Sequence, residues 1–155
     1  MKKLGLFLCS AMLFGVVSGC STTPQIFDDK DVHFKLLNQQ SMNGAETYTI
    51  QIMSTSPMEL THLSLYLDYP IKLQNGHESN PFQIKGRTNQ SIVTLDKGQS
   101  TQFTFYAPIK QVFGDSTLLD FNHPDIELDG FSKEGSKEIP FEIAGDLSVF
   151  LSQHK

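Results

Sequence analysis

HLSLYLD, residues 62–68, decides the fold class. Leu63, Leu65 and Leu67 alternate with His62, Ser64, Tyr66 and Asp68, a period of two that no helix can gather onto one apolar face. An extended strand with this pattern turns one face to a core and the other to water. The same period recurs on both sides of it. Upstream, Val32, Phe34 and Leu36 alternate with His33 and Lys35, and Tyr48, Ile50 and Ile52 alternate with Thr47, Thr49 and Gln51. Downstream come Val93 and Leu95, Phe103 and Phe105, Ile126 and Leu128, then Phe141 and Ile143. Asn43-Gly44, Asn75-Gly76, Lys97-Gly98, Asp129-Gly130 and Ala144-Gly145 punctuate the runs with residues that accept the positive backbone angles of tight turns.

About seven short strands with turn signals, in a chain of 155 residues, predict an all-β fold: a single antiparallel β-sandwich over residues 31–155. It resembles the immunoglobulin-like domains in architecture. The chain has no Trp and so lacks the Cys…Trp…Cys core of true immunoglobulin domains, and the resemblance implies a shape without an activity. One segment departs from the period. Ile109, Val112 and Phe113 stand at i, i+3 and i+4 between Pro108 and Gly114, which predicts a helical turn in a crossover between the two sheets.

The N-terminus carries an address. Lys2 and Lys3 precede an uncharged apolar stretch, Leu4 to Val17, and small residues then lead to a cysteine, the layout of an export signal. The apolar run is short for a membrane span. Val17-Ser18-Gly19-Cys20 resembles the lipobox of bacterial lipoproteins. That resemblance implies cleavage between Gly19 and Cys20 and a thioether-linked diacylglycerol on Cys20. The chain then divides into a signal peptide (1–19), a lipidated cysteine with a small, polar, proline-bearing tether (20–30), and the sandwich (31–155). The implied location is the cell membrane, lipid-anchored on its extracytoplasmic face.

Composition agrees with export. The two cysteines are Cys9, inside the signal, and Cys20, so residues 21–155 hold no thiol for a disulfide, a nucleophile or a metal. Of 12 Lys and Arg, Lys2 and Lys3 leave with the signal; ten remain against 17 Asp and Glu, a net charge of −7. The ten are scattered, which argues against nucleic acid as a partner. A negative body is repelled by anionic headgroups, so membrane attachment rests on the acyl chains, each buried methylene contributing about 0.8 kcal/mol.

Three constellations raise chemistry. GDSTLLDFNHPD, residues 114–125, resembles the GDSL hydrolases twice, in a GDS(T)L run and in a D-x-x-H-P run from Asp120 to Pro124. It departs from them in spacing. Ser116 and His123 are seven residues apart, with no room for the sheet and the oxyanion donors between the family's blocks, and in an extended segment Ser116, Asp120 and His123 share no face. The expected role is structural, with Leu118, Leu119 and Phe121 supplying burial. Asp120, Asn122, Asp125, Glu127 and Asp129 suggest calcium but fail the EF-hand pattern, with Pro124 at the fifth place, Asp125 where Gly belongs and Phe131 at the twelfth; an irregular weak site stays open. Met42, Met53, Met58, His33 and His62 are ligand types for copper, although methionine fills cores more often. The closing Ser152-Gln153-His154-Lys155 matches S-x-x-K only at a fraying terminus.

The reading that follows is a membrane-anchored lipoprotein whose non-catalytic sandwich binds a protein or peptide partner, with no cofactor. Alternatives are a small-ligand or metal-binding lipoprotein and, behind these, a small esterase. An exposed strand edge or loop tips would serve as the contact surface.

Overall fold

A computed structural model describes residues 27–152; the signal segment, Cys20 with the tether up to residue 26, and the last three residues lie outside it. After a 3₁₀ turn at Asp29–Asp31, whose Lys30 N–H donates to the Asp28 carboxylate at 3.0 Å, the elements run in order. They are β1 (Val32–Met42), β2 (Ala45–Ser54), β3 (Glu59–Asp68), β4 (Ile71–Leu73), β5 (Gly76–Glu78), β6 (Ile84–Lys85), β7 (Ser100–Ala107), α1 (Ile109–Phe113), β8 (Asp125–Glu134), β9 (Lys137–Asp146) and α2 (Leu147–Ser152).

Two antiparallel sheets face each other, β1-β2-β7 and β6-β3-β8-β9, and β4 with β5 forms a separate hairpin. The first strand pairs with the second and the second with the seventh, while the third pairs with the eighth and the eighth with the ninth. This is the immunoglobulin-like strand order. The alternation read from the sequence sets the faces. Phe34, Tyr48, Ile50, Ile52, Phe103 and Phe105 point inward from one sheet, and Leu63, Leu65, Leu67, Ile126, Leu128 and Ile143 from the other, all buried. Asn43 and Gly44 turn the β1–β2 hairpin with φ of 54° and 78°, the double positive angle of a type I′ turn. The helical turn forms as expected and Gly114 closes it, its N–H donating to Lys110 O at 3.2 Å.

Three expectations are corrected. Asp129-Gly130 is no turn: Gly130 sits inside β8 on the inner face, where a Cβ would lie 2.5 Å from the Leu63 side chain. The turn falls at Gly135 instead. Ala144-Gly145 lies within β9. Val93 and Leu95 are buried but form no strand, only a bridge from Leu95 to Leu60, because β3 bulges between Thr61 and Ser64 with His62 at φ 55°. After β9 the chain closes with α2, which sets Phe150 4.9 Å from Phe34; the rest of the Ser152–Lys155 run lies outside the described residues.

Candidate functional site

The strands give the sandwich two distinct ends. Strand β1 starts at one, where the Asp31 carbonyl accepts from Thr55 N–H and Val32 pairs with Ser54. Strand β1 has 11 residues, roughly 33 Å at the rise of an antiparallel strand. At its far end lie the β1–β2 hairpin, α1, the β4–β5 hairpin and the loop 114–124.

Asp120 braces that far end. Lys72 and His77 are cross-strand partners in the β4–β5 hairpin and therefore share a face. Segment 118–120 runs beside β4, with Lys72 N–H donating to Leu118 O at 2.7 Å and Asp120 N–H to Pro70 O at 2.9 Å. This delivers the Asp120 carboxylate to His77 Nε2 and His123 Nδ1, each 3.1 Å from Oδ2, while Lys72 Nζ stands 4.0 Å from Oδ1. Asn122 N–H donates to Oδ1 at 3.2 Å. The carboxylate is 9 % exposed, the three side chains around it roughly half. Burial alone would push it up, but the His123 hydrogen bond, the Asn122 N–H and the charges of His123 and Lys72 outweigh burial and hold it below the usual range.

Of the hydrolase-like stretch, the D-x-x-H-P run does bring its aspartate and histidine together. Residues 120–123 turn rather than extend, so Asp120 and His123 meet. Ser116 does not join them. Its hydroxyl accepts from Leu118 N–H at 3.3 Å, and it lines a cleft with Met42, Glu46, Ile109 and Phe121, whereas His123 lines another with Gln39, Tyr48 and Asp146. Burial in the loop is also divided differently from expectation. Leu119 is buried, Phe121 stacks edge-on to Tyr69 at 5.1 Å, and Leu118 is 67 % exposed. Ser116→Ala is expected to leave stability within about 0.5 kcal/mol of wild type. His123→Ala should lower the denaturation midpoint by loosening the Asp120 brace, and urea melts of the two variants check both.

The copper ligand types do not converge. His33 and Met53 are cross-strand partners on the outer face of the three-stranded sheet, and Met58 is buried. His62 belongs to the opposite sheet, 5.9 Å edge-on to Phe131. The acidic residues do gather, through register. Asp125, Glu127 and Asp129 alternate on the outer face of β8; Asp68 lies opposite Asp125 from β3, and Asp146 and Glu142 lie opposite Asp125 and Asp129 from β9. One ligand oxygen each from Glu127, Asp129 and Glu142 lies within 4.8 Å of the others. Gln83 Nε2 donates to Glu127 Oε2 at 2.8 Å.

On this face burial and mutual repulsion outweigh the opposing groups. Asp68 is 4 % exposed and its Oδ1 has no hydrogen-bond partner among the described residues. Burial first and then the charge of Asp125 push its carboxyl to about 6; the Asn80 backbone N–H opposes them and Glu127 adds to the rise. Asp125 is raised by burial and Asp146, with His77 opposing. Asp129 is raised by burial, Glu127 and Glu142, with Lys85 opposing. Sequence reasoning finds the β8 carboxylates but misses Asp68, Glu142 and Asp146, which only strand pairing brings to them.

No protein family matches this chain, and no curated protein does. Among solved structures it is similar to the sporulation control protein Spo0M of Bacillus subtilis, with 13% identity and a TM-score of 0.38 over 75% of this chain and 47% of that one. It is similar also to β-glucosidase 3B of Thermotoga neapolitana, with 14% identity and a TM-score of 0.32 over 73% of this chain and 15% of that one. A third is R. palustris CsgH, with 16% identity and a TM-score of 0.30 over 72% of this chain and 90% of that one. This chain spans less than half the length of the first two, and likenesses this distant bear on no function.

Proposed function

We propose that the protein is a lipoprotein anchored through Cys20 on the extracytoplasmic face of the cell membrane, and that its sandwich is a non-catalytic domain binding a protein partner through its far end. One observation supports the partner-binding end above others. Exposed apolar side chains from five separate segments gather there: Met42 of the β1–β2 hairpin, Leu73 of β4, Phe82, Val112 of α1 and Leu118, each between 45 % and 67 % exposed. Their supports interlock. Phe82 meets Phe113 edge-on at 5.5 Å, Lys110 N–H donates to Gly44 O at 2.8 Å, and the Asp120 brace ties the β4–β5 hairpin to the loop bearing Leu118. Apolar groups in water at the tips of well-braced loops suit recognition.

Two experiments test this reading. Cys20→Ser is expected to abolish lipid attachment and release the protein from membranes, while circular dichroism of the domain stays unchanged. Equal retention of both proteins after a high-salt wash would remove the lipoprotein assignment. A photo-crosslinking residue placed at Leu118 should capture a partner in cells, and one at Ser136, in the hairpin of the near end, should not. Equal capture from both positions would remove the far end as the contact surface.

A further inference from the structure

We propose that the far-end cleft takes a lysine side chain of the partner, its ammonium on Glu46 and its stem between Met42, Ile109 and Phe121; this rests on the partner-binding role of that end. Glu46 carries its charge in an unusual place. It has the parity of Tyr48, Ile50 and Ile52, the inward residues of β2, and so faces inward at the mouth of the sandwich. Its cross-strand neighbours are Ser41 on β1 and Ala107 on β7. Ser41 donates its hydroxyl to Oε1, and the Ala107 side chain has no donor. Oε2 is buried and has no hydrogen-bond partner among the described residues. The charge is felt in the interior: burial pushes the Tyr48 and Tyr69 hydroxyls up, and Glu46 adds to the rise of both. A buried carboxylate oxygen without a donor is costly, and a donor brought by a partner recovers that cost on binding.

The surroundings fit an ammonium on an apolar stem. The cleft holds about 520 Å³, room for a lysine side chain and the backbone that carries it. Met42, Ile109 and Phe121 supply apolar wall, and Met42, unbranched and 67 % exposed, is the wall that yields to open Oε2 to an occupant. The exposed Asp115 adds a second negative charge to the lining, and the Ser116 hydroxyl, which accepts from Leu118 N–H, keeps a further lone pair. Lys110 is the opposing charge. Its stem packs over Gly44, where a Cβ would lie 2.7 Å from Lys110 Cβ, and among the described residues no ion pair joins it to Glu46 or Asp115. Lysine suits the site better than arginine. One free oxygen meets the compact ammonium, whereas a guanidinium fork needs both oxygens and Ser41 already holds Oε1.

The test titrates the full-length protein in detergent with the peptide Ac-Gly-Ser-Lys-Ser-Gly-amide at physiological ionic strength, followed by ¹H–¹⁵N chemical shifts. The expected response saturates with a Kd of about 10⁻³ M and centres on the amides of Ser41, Glu46 and Ile109. The same peptide with norleucine, which keeps the stem and lacks the ammonium, should bind at least about tenfold more weakly, the scale of one charge-assisted hydrogen bond. Glu46→Gln should weaken the lysine peptide by the same factor. Glu142→Gln, an equal change of net charge on the other sheet, should bind as wild type. The norleucine comparison uses the wild-type chain and decides the matter even where Glu46→Gln does not fold. Equal binding of the lysine and norleucine peptides overturns the proposal, as does an arginine peptide that binds more tightly than the lysine one. So does a Glu46→Gln protein, folded by circular dichroism, that binds as wild type, or the absence of any shift of the cleft amides at about tenfold the expected Kd. The far end as contact surface is judged separately, by capture from Leu118: capture there with equal binding of the two peptides keeps the surface and removes the lysine.

Discussion

Asp68→Asn is expected to stabilise the domain by about 3 kcal/mol at pH 8 and to change it little at pH 3. The carboxyl sits at about 6 in the folded chain against 3.8 for the unperturbed group. Its folded value is raised, so between these two values the folded state holds more protons than the unfolded one, and stability falls as pH rises through the window. Below 3.8 both states are protonated and Asp68 costs nothing; above about 6 the cost is complete. A shift of about two units at 1.36 kcal/mol each gives about 3 kcal/mol, and the group is too buried for solvent to screen this away. Asparagine removes the charge and keeps an oxygen to accept from the Asn80 N–H. Asp125 and Asp129 are raised too and add the same sign, whereas Asp120, held low, contributes stability that is lost as pH falls below the ordinary carboxylate range. The wild-type optimum therefore lies on the acid side of neutrality. Urea melts in EDTA across pH 3–8 measure the difference curve. A gain of equal size at both ends of that range would show that charge is not its cause.

That such a residue cannot be recognised from its surroundings in the chain shows where sequence reading ends. Period two places Leu63, Leu65 and Leu67 on one face without ambiguity, and six of the long strands follow from it, because alternation is a local property of the backbone. Gly130 departs from expectation because Asp-Gly is a strong turn signal taken alone. Here the alternation of Ile126, Leu128 and Gly130 prevails, and the glycine makes room for Leu63. The β4–β5 hairpin leaves little pattern, since almost all of it is exposed. The site is less legible than the fold. His77 and Asp120 are 43 residues apart and meet only through the pairing of segment 118–120 with β4. Asp68 and Glu142 reach the β8 carboxylates through the registers of two different ladders. Local signals report what each residue turns toward, but not which distant residue turns toward the same place.

The largest loss of stability is expected at the point where the chain passes from one sheet to the other. Gly86 N–H donates to Leu65 O at 2.7 Å in the four-stranded sheet, and one residue later Arg87 exchanges two hydrogen bonds of 2.8 Å with Thr104 in the three-stranded sheet. The crossing is so close that a Cβ on Gly86 would stand 2.7 Å from the ring of Phe105 and 3.1 Å from Leu65 O. Phe105 is fully buried. Phe105→Ala should therefore cost about 3–5 kcal/mol, a large part of the 5–15 kcal/mol that holds a typical domain. Gly86→Ala should cost about 1–3 kcal/mol by overpacking the same spot. The two are not independent. Without the ring, the methyl added by Gly86→Ala enters the space the ring has left, and the double variant should be more stable than the sum of the single losses implies, by a coupling of about 0.5–3 kcal/mol. Strict additivity in denaturant melts would mean that Gly86 is required for some reason other than the ring.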